Sequence, residues 1–488
     1  MKGLELSSES FQRLSDRVSV LCAEYLRTLD ERALFPATTG AEAKRLFESK
    51  LSEQGMGEGA FDALLDVVNH SRAQNGRFFG YVQGSGEPIA ALGDLVASIL
   101  NQNITAWRSS PAGVTIEQTV VGWLAEAVGC PGFVGTLTSG GSAANLMGLA
   151  MAREKKTPAN LNGLYQARTG VIYASEQVHM AVPKAVAMLG IGRENLHYIA
   201  CDAAYRMEVA QLEQAIREDK ARGREPIAVV ASAGTVNTGA IDPLREIAAI
   251  ARAHDLWMHV DGAYGALAAI AIPEKFDGLS LADSVSLDPH KWLYQPLDCG
   301  CLLYRDVEAA RTTFTYTGSY AKQLSSDPVE GFAYFEESIE LSRRFRALKL
   351  WLSLRYHGLQ AFRAAIQKDL EHAQRLAAAV ERAALLELMG PVDLSAVCFR
   401  HLASADASEE MRNQFNLALL KRIVARGRVY LSNAELKGKF CLRACFVNHR
   451  TTNADVDAVV REVQEVALEV GAEQVYRQDS RKALRQRL

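Results

Sequence analysis

Between residues 135 and 304, short β-rich runs alternate with amphipathic helical patterns, and few folds satisfy that alternation. The runs lie at 170–174, 227–231, 257–260, 284–287 and 301–304, and helical spacing covers 143–154 and 243–254. Strand and helix in regular succession build a parallel sheet wrapped by helices. Ligands of such sheets gather at the carboxyl ends of the strands, so the residues just past those ends are the candidates for a site.

The flanking segments have a different rhythm. Near the amino end Phe11, Leu14, Val18, Leu21, Tyr25 and Leu29 recur in steps of three and four, one face of a helix that needs a surface to cover it. A Gly-rich segment at 55–59, an aromatic turn at 76–84 (GRFFGYVQG) and polar loop material precede a helix predicted over 115–128. Beyond 340 come a long helical stretch broken near Gly358 and short strands at 397–401 and 440–446. A last helix carries Val456, Val459, Val463 and Val470 on a face. At 488 residues the chain is too long for one ordinary domain. The expected organisation is an amino-terminal helical segment (1–75), a large α/β domain with a doubly wound, mostly parallel sheet (76–340) and a small α+β domain (341–488).

Charge excludes several classes. Lys+Arg 54 against Asp+Glu 57 gives a net charge of −3 without long runs of either sign, so neither nucleic acid nor a membrane surface is an expected partner. The apolar stretch at 266–272 falls far short of the roughly 20 residues of a membrane helix, and the first residues lack an apolar signal core. A soluble, cytoplasmic protein is expected. The eight cysteines are sparse, and Cys299/Cys301 and Cys441/Cys445 lack zinc spacing; free thiols and no metal follow.

Four motifs sit at or just after strand ends. TSGGSAANL (138–146) runs from a Gly-Gly-Ser turn into a helix, where the N–H groups of Gly141 and Ser142 and the helix dipole suit a phosphate; without a P-loop lysine it is equally an ordinary capped turn. WMHVDGAYGA ends a strand on Asp261, an acid able to face a protonated ring nitrogen or simply to cap a turn. SVSLDPHKWL sets Lys291 past a strand, where partial desolvation lets a lysine form a Schiff base, although most lysines are solvated surface residues. SEQVHMAVPKA offers His179 as a flat plate over a planar ligand, or as a polar residue satisfied locally. Together they ask for one ligand with a phosphate, a ring nitrogen, an aldehyde and a flat face, which is pyridoxal 5′-phosphate.

In these motifs, in order and over residues 75–450, the chain resembles the group II pyridoxal-phosphate-dependent amino-acid decarboxylases, the family of aromatic-L-amino-acid, tryptophan, tyrosine, histidine and glutamate decarboxylases. The His-Lys-Trp element is the most specific piece. The resemblance implies a fold-type I α/β architecture and an obligate homodimer whose active sites are shared across the interface. It implies Lys291 as the Schiff-base lysine, Asp261 as the partner of the ring nitrogen and Ala263 as the small residue against the ring. His179 corresponds to the stacking histidine, Gly141 and Ser142 to the phosphate contacts, and His290 to the histidine beside the lysine. Tyr320, in TYTGSYAKQ, falls where the family keeps a mobile-loop tyrosine that delivers a proton to the substrate, alone or with His179. Phe79, Tyr81 and Trp107 fall near the family's side-chain pocket, and Arg343 and Arg344 at a helix start that resembles the family's.

Three departures stand out. Ala143 replaces an acid of the phosphate motif. Gly234-Thr235-Val236 replaces Gly-Thr-Thr, leaving Thr235 as the hydroxyl available to the cofactor. Asp288 stands where some relatives have Asn, and repulsion by a phosphate predicts that its side chain points elsewhere or bonds to backbone. The expected reaction is decarboxylation of an aromatic L-amino acid to its amine. The alternatives are an aldehyde synthase, another lyase or an aminotransferase on the same cofactor, or a non-catalytic cofactor sensor, for which the residues before 75 are too few and insufficiently basic.

Overall fold

The computed structural model describes residues 4–164, 170–316 and 325–485. Its larger sheet comprises β1 (Val134–Thr138), β2 (Gly170–Ser175), β3 (Leu196–Ile199), β4 (Glu225–Ser232), β5 (Trp257–Asp261), β6 (Ser284–Leu287) and β7 (Gly300–Tyr304). The strand order is β1-β7-β6-β5-β4-β2-β3. The five predicted runs are all strands. β1 and β3 add to them, both short, and VGTLT is too poor in apolar residues to announce a buried strand.

Strands β2 to β6 pair in parallel, whereas β7 runs antiparallel to both β1 and β6. The segment between β6 and β7 holds only the short helix Pro289–Trp292 and loop, not the longer crossover helix a parallel return requires. Alternation along the central strands sorts side chains into two cores. Val229, Ala231, Met258 and Val260 face one layer of helices, and Ala228, Val230 and Trp257 face the other.

The smaller sheet, order β10-β11-β9-β8, is antiparallel throughout: β8 (Leu386–Leu388), β9 (Ala396–His401), β10 (Ser432–Leu436) and β11 (Lys439–Cys445). Helix Ala347–Arg382 links the two cores. Gly358, at φ 73° and ψ 156°, breaks its helical geometry where the sequence places a break. Beyond that break, Phe362 and Ile366 join the core of the large sheet, while Ala373, Leu376 and Val380 join that of the small one. The terminal valines Val456, Val459, Val463 and Val470 are buried in the latter.

The amino-terminal helix, Ser8–Arg27, begins at Ser7, whose hydroxyl accepts the N–H of Ser10 at 3.2 Å. Its predicted stripe is only partly covered within the chain. Leu14 and Leu29 are buried, Val18, Leu21 and Tyr25 are half-buried and Phe11 is exposed, as are Val20 and Leu26 outside the stripe. Among the described residues no helix is long and apolar enough to cross a membrane.

Candidate active site

The carboxyl ends of β1, β2, β4, β5 and β6 open onto a cavity of about 470 Å3. Lys291 enters it from the Pro289–Trp292 turn after β6, Asp261 from the end of β5, and His179 from the loop after β2. Gly141, Ser142, Ala263 and His290 line the same space. The predicted motifs, distant in sequence, therefore meet because parallel strands deliver their carboxyl ends to one edge of the sheet.

At the Gly-Gly-Ser turn the backbone replaces side chains. Gly140 has φ 142°, a region L residues avoid, and a methyl group on Gly141 would come within 2.6 Å of the Ala263 Cβ. Helix Gly141–Lys156 starts there without a side-chain cap, leaving its first N–H groups to an anion.

Asp261 is 7% exposed, and its Oδ1 accepts both the Ala263 N–H and the Ser286 hydroxyl at 3.2 Å, which leaves Oδ2 as the oxygen for a ligand. Beneath it His259 is fixed at 2.8 Å on either side, by Ser284 Oγ at Nδ1 and by Asn145 Oδ1 at Nε2. Burial lowers the His259 imidazole to about 4, so the ring is neutral, and the Asn145 carbonyl places its proton on Nε2. His179 accepts the Ala181 N–H at Nδ1, 3.2 Å. Burial pushes it below the usual histidine range against the opposing pull of Asp261, which gives a neutral ring with the proton on Nε2.

Lys291 Nζ lies 2.9 Å from Asp288 Oδ2. His290 Nδ1 accepts the Cys299 N–H at 3.2 Å, and its Nε2 stands 3.6 Å from the same Asp288 oxygen. Burial lowers His290 too, with Asp288 opposing. The expectation that Asp288 turns away from the site is corrected: it lines the cavity, because Lys291 three residues on supplies an opposite charge within reach.

Of the other predicted residues, Tyr81 lines the cavity, whereas Thr235, Phe79, Trp107, Arg343 and Arg344 do not. Thr235 is buried in its own turn, its hydroxyl 2.8 Å from that of Thr238, while its neighbours Gly234 and Val236 face the cavity. Tyr81 is on the cavity wall with its hydroxyl 3.0 Å from that of Tyr430. Phe79 is fully buried in the small-sheet core, 5.0 Å from the Phe446 ring, and Trp107 packs half-buried beside the large core with its N–H on Phe332 O. Arg343 is buried in a network with Glu117 Oε1 (2.5 Å) and Thr136 Oγ1 (2.6 Å), and Arg344 pairs with Asp94 at the surface. Tyr320 lies outside the described residues.

Several wall residues were not anticipated, among them three polar ones. Arg443, 6% exposed on β11, donates to Val236 O at 2.5 Å and to Ser432 Oγ at 3.2 Å. Tyr264 is buried, stacked on Trp292 at 6.0 Å, with its hydroxyl 2.9 Å from Ser395 Oγ. Asn145 completes the set. The one sequence signal for Arg443 is a charge inside an otherwise apolar strand, CLRACF.

Comparison with known proteins bears directly on this arrangement. Residues 45–402 match the family described as the pyridoxal-dependent decarboxylase conserved domain. The chain is 34% identical to an aromatic-L-amino-acid decarboxylase of Bacillus atrophaeus, over 96% of this chain and 98% of that protein. It is 31% identical to a 4-hydroxyphenylacetaldehyde synthase of Rhodiola rosea, over 95% of each. A crystal structure of Oryza sativa TDC with PLP and tryptamine superposes with a TM-score of 0.89 at 26% identity, covering 96% of this chain and 99% of that one.

Proposed function

Because this chain belongs to the pyridoxal-dependent decarboxylase family and takes pyridoxal 5′-phosphate as its cofactor, we propose that it converts an aromatic L-amino acid into the corresponding amine, with Lys291 binding the cofactor's aldehyde. The observation that carries this reading is the single cavity shared by Lys291, Asp261 and the uncapped glycine turn. Those residues fit the cofactor. An uncapped helix start takes a phosphate, Ala263 leaves room for a ring, Asp261 Oδ2 suits a ring N–H, and Lys291 is a primary amine in the same space.

The bound cofactor supplies a conjugated electron sink next to the substrate's α-carbon. Asp261 holds the proton on the ring nitrogen, and Ser286 and the Ala263 N–H fix its orientation. Gly141 and Ser142 anchor the phosphate. His179, neutral, covers the site and presents its Nε2 proton, and His290 steadies Asp288 beside Lys291. Thr235 acts by shaping the turn that presents Gly234 and Val236, not through its own hydroxyl. Arg443 is the cation on the wall that meets the substrate's carboxylate. Tyr81, backed by Tyr430, gives that wall an aromatic surface, and the aromatic substrates in the relatives' names point the same way. Carbon dioxide release from the proteinogenic amino acids plus hydroxylated tryptophan and phenylalanine tests this. Aromatic acids should be the best substrates, and turnover confined to a dicarboxylate refutes the substrate class.

The relative from Rhodiola rosea favours one second reading, an aldehyde-forming enzyme. Tyr320 separates the two, because a phenol that protonates the α-carbon yields amine. Tyr320→Phe should lower the rate and divert product from amine to aldehyde, ammonia and hydrogen peroxide, with dioxygen as the oxidant. Chromatography with a peroxide assay reads the ratio. An unchanged ratio removes Tyr320 as the donor, and a wild-type protein making mostly aldehyde establishes the second reading.

We further propose a homodimer with shared sites, working in the cytoplasm. Val20 is 70% exposed on the first helix, and Leu92, Leu95 and Ile99 are exposed along helix Pro88–Leu100, apolar faces that a second copy would cover. All eight cysteines are free, as a reducing compartment requires. Sedimentation should show a dimer, and Leu95→Glu with Ile99→Glu should dissociate it and abolish turnover. A stable, active monomer of the unaltered chain would refute the dimer.

A further inference from the structure

Asp288 is an anomaly in a site built for an anion. It is 2% exposed, its Oδ2 is engaged by Lys291, and its Oδ1 has no hydrogen-bond partner among the described residues. Both oxygens face the glycine turn. A methyl group on Gly141 would lie 3.1 Å from Oδ2, and one on Gly140 would lie 3.9 Å from Oδ1. The titratable and charged groups around Asp288 are Lys291, His290, His179 and the buried thiols of Cys299 and Cys301, with Asp261 and Arg443 elsewhere on the cavity wall. Both histidines are neutral at pH 7, so among the described residues Lys291 is the cation within ion-pair reach.

A phosphate monoester in water carries close to two negative charges at neutral pH, since its second proton leaves near pH 6. Set against the Gly141 turn, the dianion would meet a buried carboxylate whose free oxygen can only accept. Two acceptors in contact repel, but one proton between them turns the contact into a charge-assisted hydrogen bond.

Building on the phosphate placement proposed above, we infer that Asp288 makes binding of the cofactor's phosphate end proton-linked: one proton is taken from solvent and held between a phosphate oxygen and Asp288 Oδ1. The new O–H bond forms on the phosphate–carboxylate pair, the bond that breaks is the one holding that proton to hydronium or the buffer acid, whose conjugate base stays in solution, and nothing is oxidised. The chain consequently binds its cofactor more weakly as pH rises, a property a relative with Asn at this position lacks.

The test uses the full-length chain freed of cofactor and pyridoxine 5′-phosphate, whose alcohol cannot react with Lys291. Calorimetry at about pH 8, about two units above the phosphate's second ionisation, in two buffers of different ionisation enthalpy counts the protons taken up. The wild type should take up about one proton per ligand. Asp288→Asn should take up nearly none and bind at least about tenfold more tightly, because it no longer needs a proton scarce at that pH. Asp288→Ser is the second variant, and the phosphorus resonance of the bound ligand should move from the monoanion position in the wild type to the dianion position in both. Equal proton uptake in wild type and Asp288→Asn overturns the inference, as does uptake that survives Asp288→Asn and disappears in His290→Gln. If unphosphorylated pyridoxine binds as well as its phosphate, the failure lies in the phosphate placement, and the inference falls with it.

Discussion

Lys291→Ala should lose decarboxylation by roughly 10³- to 10⁴-fold and lose the visible absorption band of the bound cofactor, because among the described residues no other lysine lines the cavity. Its structural effect should be separable. Removing the ammonium leaves Asp288, 2% exposed, with neither oxygen engaged by a cation, and an unsatisfied buried acceptor costs about 1–3 kcal/mol. The variant should therefore melt lower than the wild type, and adding Asp288→Asn should restore much of the stability without restoring activity. Lys291→Arg should keep the ion pair and the stability but remain inactive. Absorption and carbon dioxide release read the chemistry, and thermal unfolding monitored by circular dichroism reads the fold. Turnover with an intact visible band in Lys291→Ala would remove Lys291 from the reaction.

Asp261→Asn should fold and bind cofactor yet lose activity by roughly 10²- to 10³-fold, the usual cost of deleting one preorganised electrostatic partner. The substitution is informative because the amide carbonyl can still accept the Ala263 N–H and the Ser286 hydroxyl, so position is kept and only the charge facing the ring nitrogen is lost. Ser286→Ala removes one of those supports and should cost far less. The measurement is kcat on one good aromatic substrate, together with cofactor affinity from fluorescence quenching. Near-wild-type turnover in Asp261→Asn would reduce this residue to a turn acid.

Much of this candidate site is legible in one dimension because Lys291, Asp261, His179 and the glycine turn each belong to a motif written around a strand end. The run 257–261 reads as a strand because it is apolar and followed by small residues, and the chemistry of an acid there follows from its type. Lys291 is found in the same way, by a strand ending in Asp-Pro-His-Lys-Trp. The helix break at Gly358 is equally local, since its positive φ favours a residue without a Cβ.

Where the reading ran out, the missing information was non-local. The reversal of β7 depends on what space remains beside β6 and β1, and nothing in GCLLY encodes direction. Phe79 belongs to an aromatic cluster near the predicted pocket, yet its N–H pairs with Tyr430 O and its carbonyl with the Cys445 N–H, which carries the ring into the small-sheet core. Arg443 reaches the cavity only because the smaller sheet packs against the turn that holds Val236. By itself, then, the sequence determined five strands of the larger sheet and two of the smaller, the glycine turn that opens a helix, and the acid and the lysine just past strand ends, since periodicity and side-chain chemistry are properties of neighbouring residues. Only the tertiary structure decided that Thr235 faces inward, that Arg443 and Tyr264 complete the wall, and that Asp288 turns toward the glycine turn, since each depends on contacts and charges beyond neighbouring residues.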